Sequence, residues 1–135
     1  MIMKAIPQIQ KFMTTNPHTI NADMSLVEAK KMMADLHVRH LPVLHAGKVV
    51  GVISERDVAL LMALNGVDAH KTNVEQAMTE MPYITTPESP LDQVAMEMSE
   101  KRYGSAIVMQ NQKVVGIFTA VDGLRALAEL LHMKR

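Results

Sequence analysis

The sequence contains no cysteine and no tryptophan, and only two phenylalanines and two tyrosines. Without cysteine there is no disulfide framework, no thiolate metal site and no thiol nucleophile. Fourteen Lys and Arg against fourteen Asp and Glu leave no formal net charge, so the basic footprint of a nucleic-acid binder is missing. The longest apolar run, Val58 to Leu64, is seven residues, against the roughly twenty a membrane helix needs. The first residues carry one lysine and no long apolar stretch, so no signal peptide is expected and a cytoplasmic location is the default. There is no Gly-X-Ser-X-Gly elbow, no phosphate loop ending in Gly-Lys-Ser/Thr, and no carboxylate pair with a clear base. Catalysis is therefore not expected. Nor is a metal site or a required cofactor. Of His18, His37, His40, His45, His70 and His132, only His37 and His40 stand three apart, and the approach of Pro42 predicts a loop there.

What the chain does have is a duplication. A shift of sixty-five residues aligns Met13 to Asp57 with Met78 to Asp122 without a gap. Eleven of the forty-five positions are identical, including Met13-Thr14, Pro17, Leu26, Met33, Val43, Lys48 to Gly51 and Asp57. One repeat of this size buries too little surface to be comfortably stable alone, so the two copies are expected to share a core about a pseudo-two-fold axis. The repeats are read as 1–66, with an N-terminal helix, and 67–135. Thirteen methionines suit irregular packing or an exchanging surface.

The hydrophobic periodicity predicts a short helix over Ile6 to Phe12 and a turn at Met13-Thr14 and Pro17. A β segment over His18 to Asn21 follows, then a helix from a Ser25–Glu28 capping box to about Leu36. Leu41 to Leu44 and Lys48 to Ile53 read as a hairpin, with Pro42 marking a start or an irregular edge. Ser54 then caps a second helix, closed by Asn65-Gly66. The second half repeats this: a short helix over Val74 to Met78, a β segment over Tyr83 to Thr86, and a helix capped by Ser89 with Pro90 at its first position. A hairpin then turns at Asn111-Gln112, a last helix runs from Thr119 to His132, and Met133 to Arg135 form a polar tail. Each half is thus β-α-β-β-α, an α/β unit with a small sheet covered on one face by helices.

The recurring stretch Gly51-Val52-Ile53-Ser54-Glu55-Arg56-Asp57, matched by Gly116 to Asp122, carries the chemistry. Its plain reading is a capping box: Ser54 and Thr119 bond free helix amides while Asp57 and Asp122 complement the positive end. The sharper reading uses the same geometry. Free amides at a helix start attract anions, and a short carboxylate beside them can grip the vicinal hydroxyls of a ribose.

Three motifs in order, Met-Thr followed by Pro, Arg39-His40-Leu41-Pro42-Val43, and glycine-apolar-X-Ser/Thr-X-X-Asp, make the chain resemble a tandem pair of CBS domains. The resemblance spans about Met13 to Leu131. It implies an α/β fold of two β-α-β-β-α repeats, a flat homodimer, and clefts for adenosine-containing ligands such as AMP, ADP, ATP or S-adenosylmethionine. It further implies a stand-alone, non-catalytic sensor acting on a separate protein in trans; the balanced charge and short apolar runs argue against nucleic acid and membrane as partners. Carried over by position, Asp57 and Asp122 would hold ribose hydroxyls, with Ser54 and Thr119 near the ribose or α-phosphate. Thr19 and Ile20, with His18, and Tyr83 and Ile84, with Thr85, would line the base. Arg39, His40 and Arg56 would face phosphates. The second half departs from the pattern, with Gly104-Ser105 where the first has Arg39-His40, and Lys101 and Arg102 shortly before. Gly104 leaves room for a ligand, and one cleft could bind while the other stays empty. The alternative is a dimerisation scaffold whose aspartates serve only the helix ends; a DNA-binding regulator would need a basic face.

Overall fold

The computed structural model describes residues 5–133. In chain order a 3-10 turn (Ile9–Lys11) leads to β1 (Thr14–Thr15), β2 (Ile20–Asn21), α1 (Leu26–Leu36), β3 (His40–His45), β4 (Lys48–Ser54) and α2 (Glu55–Met62). Then come α3 (Val74–Ala77), β5 (Thr79–Glu80), β6 (Ile84–Thr85), α4 (Leu91–Lys101), β7 (Ser105–Gln110), β8 (Lys113–Thr119) and α5 (Ala120–His132). The β-α-β-β-α order expected of each half is present twice. Lys134 and Arg135 of the expected polar tail lie outside the described residues.

The compact units are divided differently from the sequence repeats. One unit is His18–Pro82; the other joins 5–17 to 83–133. The reason is the Met-Thr stretch, read from sequence as a turn, which forms an edge strand in each sheet. The His18–Pro82 sheet has the order β2-β3-β4-β5, and the other has β1-β8-β7-β6. Thus Thr14 and Thr15, from the first repeat, pair antiparallel with Ile117 and Gly116 of the second. Thr79 and Glu80, from the second repeat, pair with Val52 and Gly51 of the first. The repeats exchange strands.

Glycine makes the exchange possible. A Cβ on Gly51 would stand 2.7 Å from both the Met78 sulfur and the Thr79 carbonyl oxygen, and one on Gly116 would collide with the Met13 side chain. Two of the thirteen methionines therefore have a defined task, lying across a glycine that lets an edge strand close up.

The backbone irregularities are duplicated too. Left-handed φ values occur at Asn16 and Met81, at His37 and Arg102, at Ala46 and Asn111, and at Gly47 and Gln112, each pair one repeat apart. His37 and Arg102 end α1 and α4 in the αL conformation. The last two pairs are the hairpin turns, whose two positive φ values match the right-handed twist of their strands. A register shift falls at Val43/Leu44 and again at Val108/Met109. Because non-glycine residues occupy most of these positions, the duplicated backbone is set by tertiary structure more than by local preference.

Each unit buries its own core. In His18–Pro82 the α1 face of Leu26, Ala29 and Met33 packs on Leu41, Val43 and Ile53 of the hairpin, with Val58 and Val74. In the other, Leu91, Val94 and Met98 of α4 meet Ala106, Val108 and Phe118, and Ile9 and Phe12 fill the space that the second repeat leaves open.

Three local expectations need correcting. The helix expected over Ile6 to Phe12 is only a 3-10 turn, because the backbone is tied elsewhere: Ile9 N–H donates to Ser89 O, Gln10 N–H to Pro87 O, and Leu91 N–H to Pro7 O. Ser89 does not cap α4. Its hydroxyl is engaged with Thr85 and Thr86, and Pro90, in extended conformation, is the cap residue. Pro42 is neither at a strand start nor at a sheet edge. It is fully buried inside β3, between β2 and β4. Its counterpart Ile107 donates its N–H to Tyr83 O, a bond Pro42 has no hydrogen to make. Accordingly β6 begins pairing at Ile84↔Ile107, while β2 begins one step later, at Ile20↔Val43.

The glycine contacts predict an ordering. Gly51→Ala forces a backbone carbonyl to move and should destabilise by about 1–3 kcal/mol, as overpacked sites do. Gly116→Ala presses only on a flexible methionine and should cost less than Gly51→Ala, while a Gly116→Ala, Met13→Ala double variant, free of that clash, should lose only the packing of Met13. Urea midpoints of the three proteins check this; equal losses in all three would contradict it.

Candidate functional site

Strand pairing builds the two candidate sites. In the His18–Pro82 unit, β3 and β4 run antiparallel, so His40 stands directly across from Ser54, the last residue before α2. In the other unit Ser105 stands across from Thr119, the last residue before α5. The start of the first hairpin strand and the hydroxyl-X-X-Asp turn, fourteen residues apart in sequence, thereby meet at one end of each sheet, and only in the first is that start basic, at Arg39-His40. The Arg39 carbonyl accepts from Glu55 N–H and closes the pair of strands over the helix start.

Both hydroxyl-X-X-Asp turns are complete capping boxes. Asp57 N–H donates to Ser54 Oγ at 3.1 Å, and Ser54 N–H donates to Asp57 Oδ2 at 2.9 Å. Asp122 N–H donates to Thr119 Oγ1 at 3.4 Å, and Thr119 N–H to Asp122 Oδ2 at 2.9 Å. The aspartates therefore do serve the helix ends. A carboxylate has about four lone-pair positions, so a capping role alone leaves capacity for a ligand.

The copies then differ. Asp57 is half-buried, and no hydrogen bond to its Oδ1 is present among the described residues. Asp122 is buried, with 4% of its surface exposed. Its Oδ1 accepts from Arg125 Nη2 at 2.6 Å and from Thr14 Oγ1 at 3.4 Å, and its Oδ2 also accepts from Thr119 Oγ1 at 3.2 Å. Arg125 and Thr14 are absent from the sequence-derived set. Thr14 arrives on the exchanged strand, and Arg125 lies past the aspartate that ends the aligned stretch, at a position where the first repeat has Leu60.

The other expected residues sort by their surroundings. Arg39 is exposed and 3.8 Å from the exposed Glu55, a pair too solvated to hold either side chain firmly. Arg56 is exposed and His40 half-buried. Thr19 is half-buried, whereas the Ile20 side chain belongs to the core, leaving only its backbone for a ligand. Ile84 is 46% exposed, unusual for a residue of its kind in a strand. Tyr83 stacks on Tyr103 with ring centroids 5.2 Å apart, and Tyr103 immediately precedes Gly104. Sequence reading overlooked Tyr103, although two tyrosines in so aromatic-poor a chain were a usable signal. Lys101 pairs with Glu97 at 3.2 Å, which raises the ammonium pKa, and Arg102 is the C-terminal cap of α4. Among the described residues no three His, Asp or Glu gather as metal ligands would, and no helix is long and apolar enough to cross a membrane.

The family profile for the CBS domain matches this chain twice, over residues 9–64 and 74–129. The chain belongs to the CBS domain family. Both matches contain a Gly-X-X-Ser/Thr-X-X-Asp turn and the hairpin that places it. Among solved structures, the CBS domain pair of protein MJ0100, in complex with 5′-methylthioadenosine and S-adenosyl-L-methionine, superposes with a TM-score of 0.84. It shares 29% sequence identity, over 93% of this chain and 98% of that one. A hexameric CBS-CP12 protein from bloom-forming cyanobacteria gives a TM-score of 0.82 at 26% identity, over 91% of this chain and 73% of that one. Among curated relatives, L-aspartate semialdehyde sulfurtransferase of Methanocaldococcus jannaschii is 31% identical over 119 residues, 87% of this chain but 22% of that protein. The CBS domain-containing protein YhcV of Bacillus subtilis is 25% identical, over 84% of this chain and 81% of that protein. The chain thus spans about a fifth of the sulfurtransferase and most of YhcV.

The Tyr83 phenol in the second CBS repeat provides a spectroscopic handle. Burial pushes its pKa above the ordinary value of 10.0, the Glu97 charge and Tyr103 add to this, and a hydrogen bond with Thr85 and the Lys101 charge act the other way. The folded state therefore favours the neutral phenol. Its contribution is complete below the unfolded value near 10 and is lost as pH rises through the higher folded value. With no tryptophan in the chain, phenolate absorbance of a Tyr103→Phe variant reports Tyr83 alone. A midpoint above the free-tyrosine value is expected; one at or below it would contradict the assignment.

Proposed function

We propose that this chain is a regulatory ligand-binding module, cytoplasmic and non-catalytic, which takes up an adenosine compound and passes the binding energy to a partner protein. The observation that carries the reading is the duplicated Ser/Thr-X-X-Asp turn at the starts of α2 and α5. It is supported by the likeness, across nearly the full chain, to a CBS pair solved with 5′-methylthioadenosine and S-adenosyl-L-methionine. In this reading Asp57 or Asp122 takes the ribose hydroxyls and Ser54 or Thr119 flanks them. Thr19 and the Ile20 backbone, or Tyr83, Ile84 and Gly104, border the base, and Arg39, His40 and Arg56 lie toward any phosphates. AMP, ADP, ATP and S-adenosylmethionine are the candidate ligands. Regulation requires that the ligand prefer one conformation of the protein, since only a difference in affinity can shift an equilibrium.

The module is also proposed to work as a homodimer. Val121, Leu124, Leu127 and Leu131 form an apolar stripe at helical spacing along α5, all more than half exposed. A stripe of this kind on a water-soluble helix calls for a covering surface. Hexameric relatives show that CBS proteins assemble.

The completed capping boxes favour a second reading, a scaffold whose aspartates act only at the helix ends. Thermal unfolding against AMP, ADP, ATP and S-adenosylmethionine separates the two. A ligand at about a hundred times its dissociation constant stabilises by roughly 2.7 kcal/mol, raising the melting temperature by something on the order of 10 °C. A selective rise with one of these compounds is expected. No rise with any, in protein freed of carried-over nucleotide, decides for the scaffold. For the dimer, a Leu124→Glu, Leu127→Glu variant should sediment as a monomer with an unchanged far-ultraviolet spectrum; a wild-type protein that is already monomeric would refute the assembly.

A further inference from the structure

We infer that Arg125 is an internal counter-ion that withholds Asp122 from ligands, so that each chain offers one working ribose site, at Asp57. The inference rests on the adenosine-binding reading and specifies which copy of the motif performs it.

A ribose diol needs carboxylate oxygens that are reachable and have unfilled lone pairs. Asp122 meets neither requirement. Its side chain is 6% exposed, and its two oxygens accept from Thr119 N–H, Thr119 Oγ1, Thr14 Oγ1 and the Arg125 guanidinium. Those four donors match the roughly four lone-pair positions a carboxylate has. The guanidinium contact, at 2.6 Å, is the strongest of them, since both of its partners are charged. Arg125 also reaches toward the Phe12 carbonyl at 3.5 Å; its side chain is 54% exposed, and its hold on the carboxylate rests on the short contact with the buried Asp122.

Asp57 meets both requirements. It is half-buried, its Oδ2 accepts from Ser54 N–H, and no donor to its Oδ1 is present among the described residues. At the position matching Arg125 stands Leu60, 59% exposed, which has no charge to contribute. The exchanged strands differ in the same sense. Thr14 bonds Asp122, whereas Thr79, paired one repeat away at the matching register, makes no such bond to Asp57 among the described residues. Two copies of one motif therefore face opposite fates through a single substitution on the following helical turn.

The test is equilibrium dialysis of the full chain with labelled 5′-methylthioadenosine and, separately, AMP. The first probe has no phosphate, so removal of a cation cannot change its affinity through charge alone. The wild type should bind one equivalent per chain, and Arg125→Leu two. Asp57→Asn should bind none, whereas Asp57→Asn combined with Arg125→Leu should regain one. That regained equivalent also shows that Asp57→Asn leaves the protein folded. Two equivalents in the wild type, one in Arg125→Leu, or binding that survives Asp57→Asn alone would each overturn the role of Arg125 while leaving adenosine binding intact. No binding of either probe by any of the four proteins would overturn both.

Discussion

A methionine lying across a glycine is the contact on which the architecture depends. At Gly51 and Gly116 the absence of a side chain lets Met78 and Met13 press against the strand, and that close approach lets a two-residue edge strand complete each sheet. The edge strand comes from the other repeat. Each compact unit therefore contains a piece of both repeats, and the chain passes between units twice, at Pro17–His18 and at Pro82–Tyr83. The two prolines sit where the chain must change sheets, and neither is asked to continue a ladder.

The same exchange brings Thr14 to Asp122 and so reaches the candidate site. The hairpin sets the stage by placing His40 across from Ser54 and Ser105 across from Thr119. The last residue of each hairpin, Ser54 or Thr119, supplies the amide that holds the aspartate carboxylate in place. What separates the two sites is decided one turn further along, where α5 has an arginine and α2 a leucine. Symmetry of backbone thus coexists with asymmetry of charge. The fold is specified by the duplicated apolar and glycine positions, and the electrostatics by positions that the duplication did not preserve.

This division also explains what could be read from the sequence. Leu26 with Met33, and Leu91 with Met98, announced α1 and α4 by spacing alone, and Ser54–Asp57 announced a helix start by its chemistry. The repeated Lys-Val-Val-Gly runs pointed to the hairpins, whereas their register shifts at Val43/Leu44 and Val108/Met109 were not read from the sequence. The partner of Met13-Thr14 was not legible, because Lys-Val-Val-Gly occurs in both halves and the residues themselves do not say which glycine they will cover. The 3-10 turn at Ile9–Lys11 was mistaken for a helix because its apolar spacing is helical, while its backbone partners, Pro87 and Ser89, are some eighty residues away. The alignment placed Pro90 opposite Ser25, so its role as the cap of α4 was available in the register and was obscured by the attraction of Ser89. Arg125 left no trace, since its counterpart is the uncharged Leu60 and an arginine on a helix is ordinarily a solvated charge.

Strand exchange between two copies of one sequence has a consequence for how such a chain could arise. A primordial polypeptide with a single repeat, about half this length, could complete its sheet only by lending its Met-Thr strand to a second molecule and borrowing one back. It would have been an obligate, domain-swapped pair, dependent on its own concentration. Joining two such genes end to end turns that encounter into an intramolecular one, at an effective concentration in the millimolar range for a short connection. Once fused, the halves no longer had to be identical, and a change in one copy no longer appeared in both. An arginine could then enter after one aspartate and not after the other, an inequality that no assembly of identical single repeats could express.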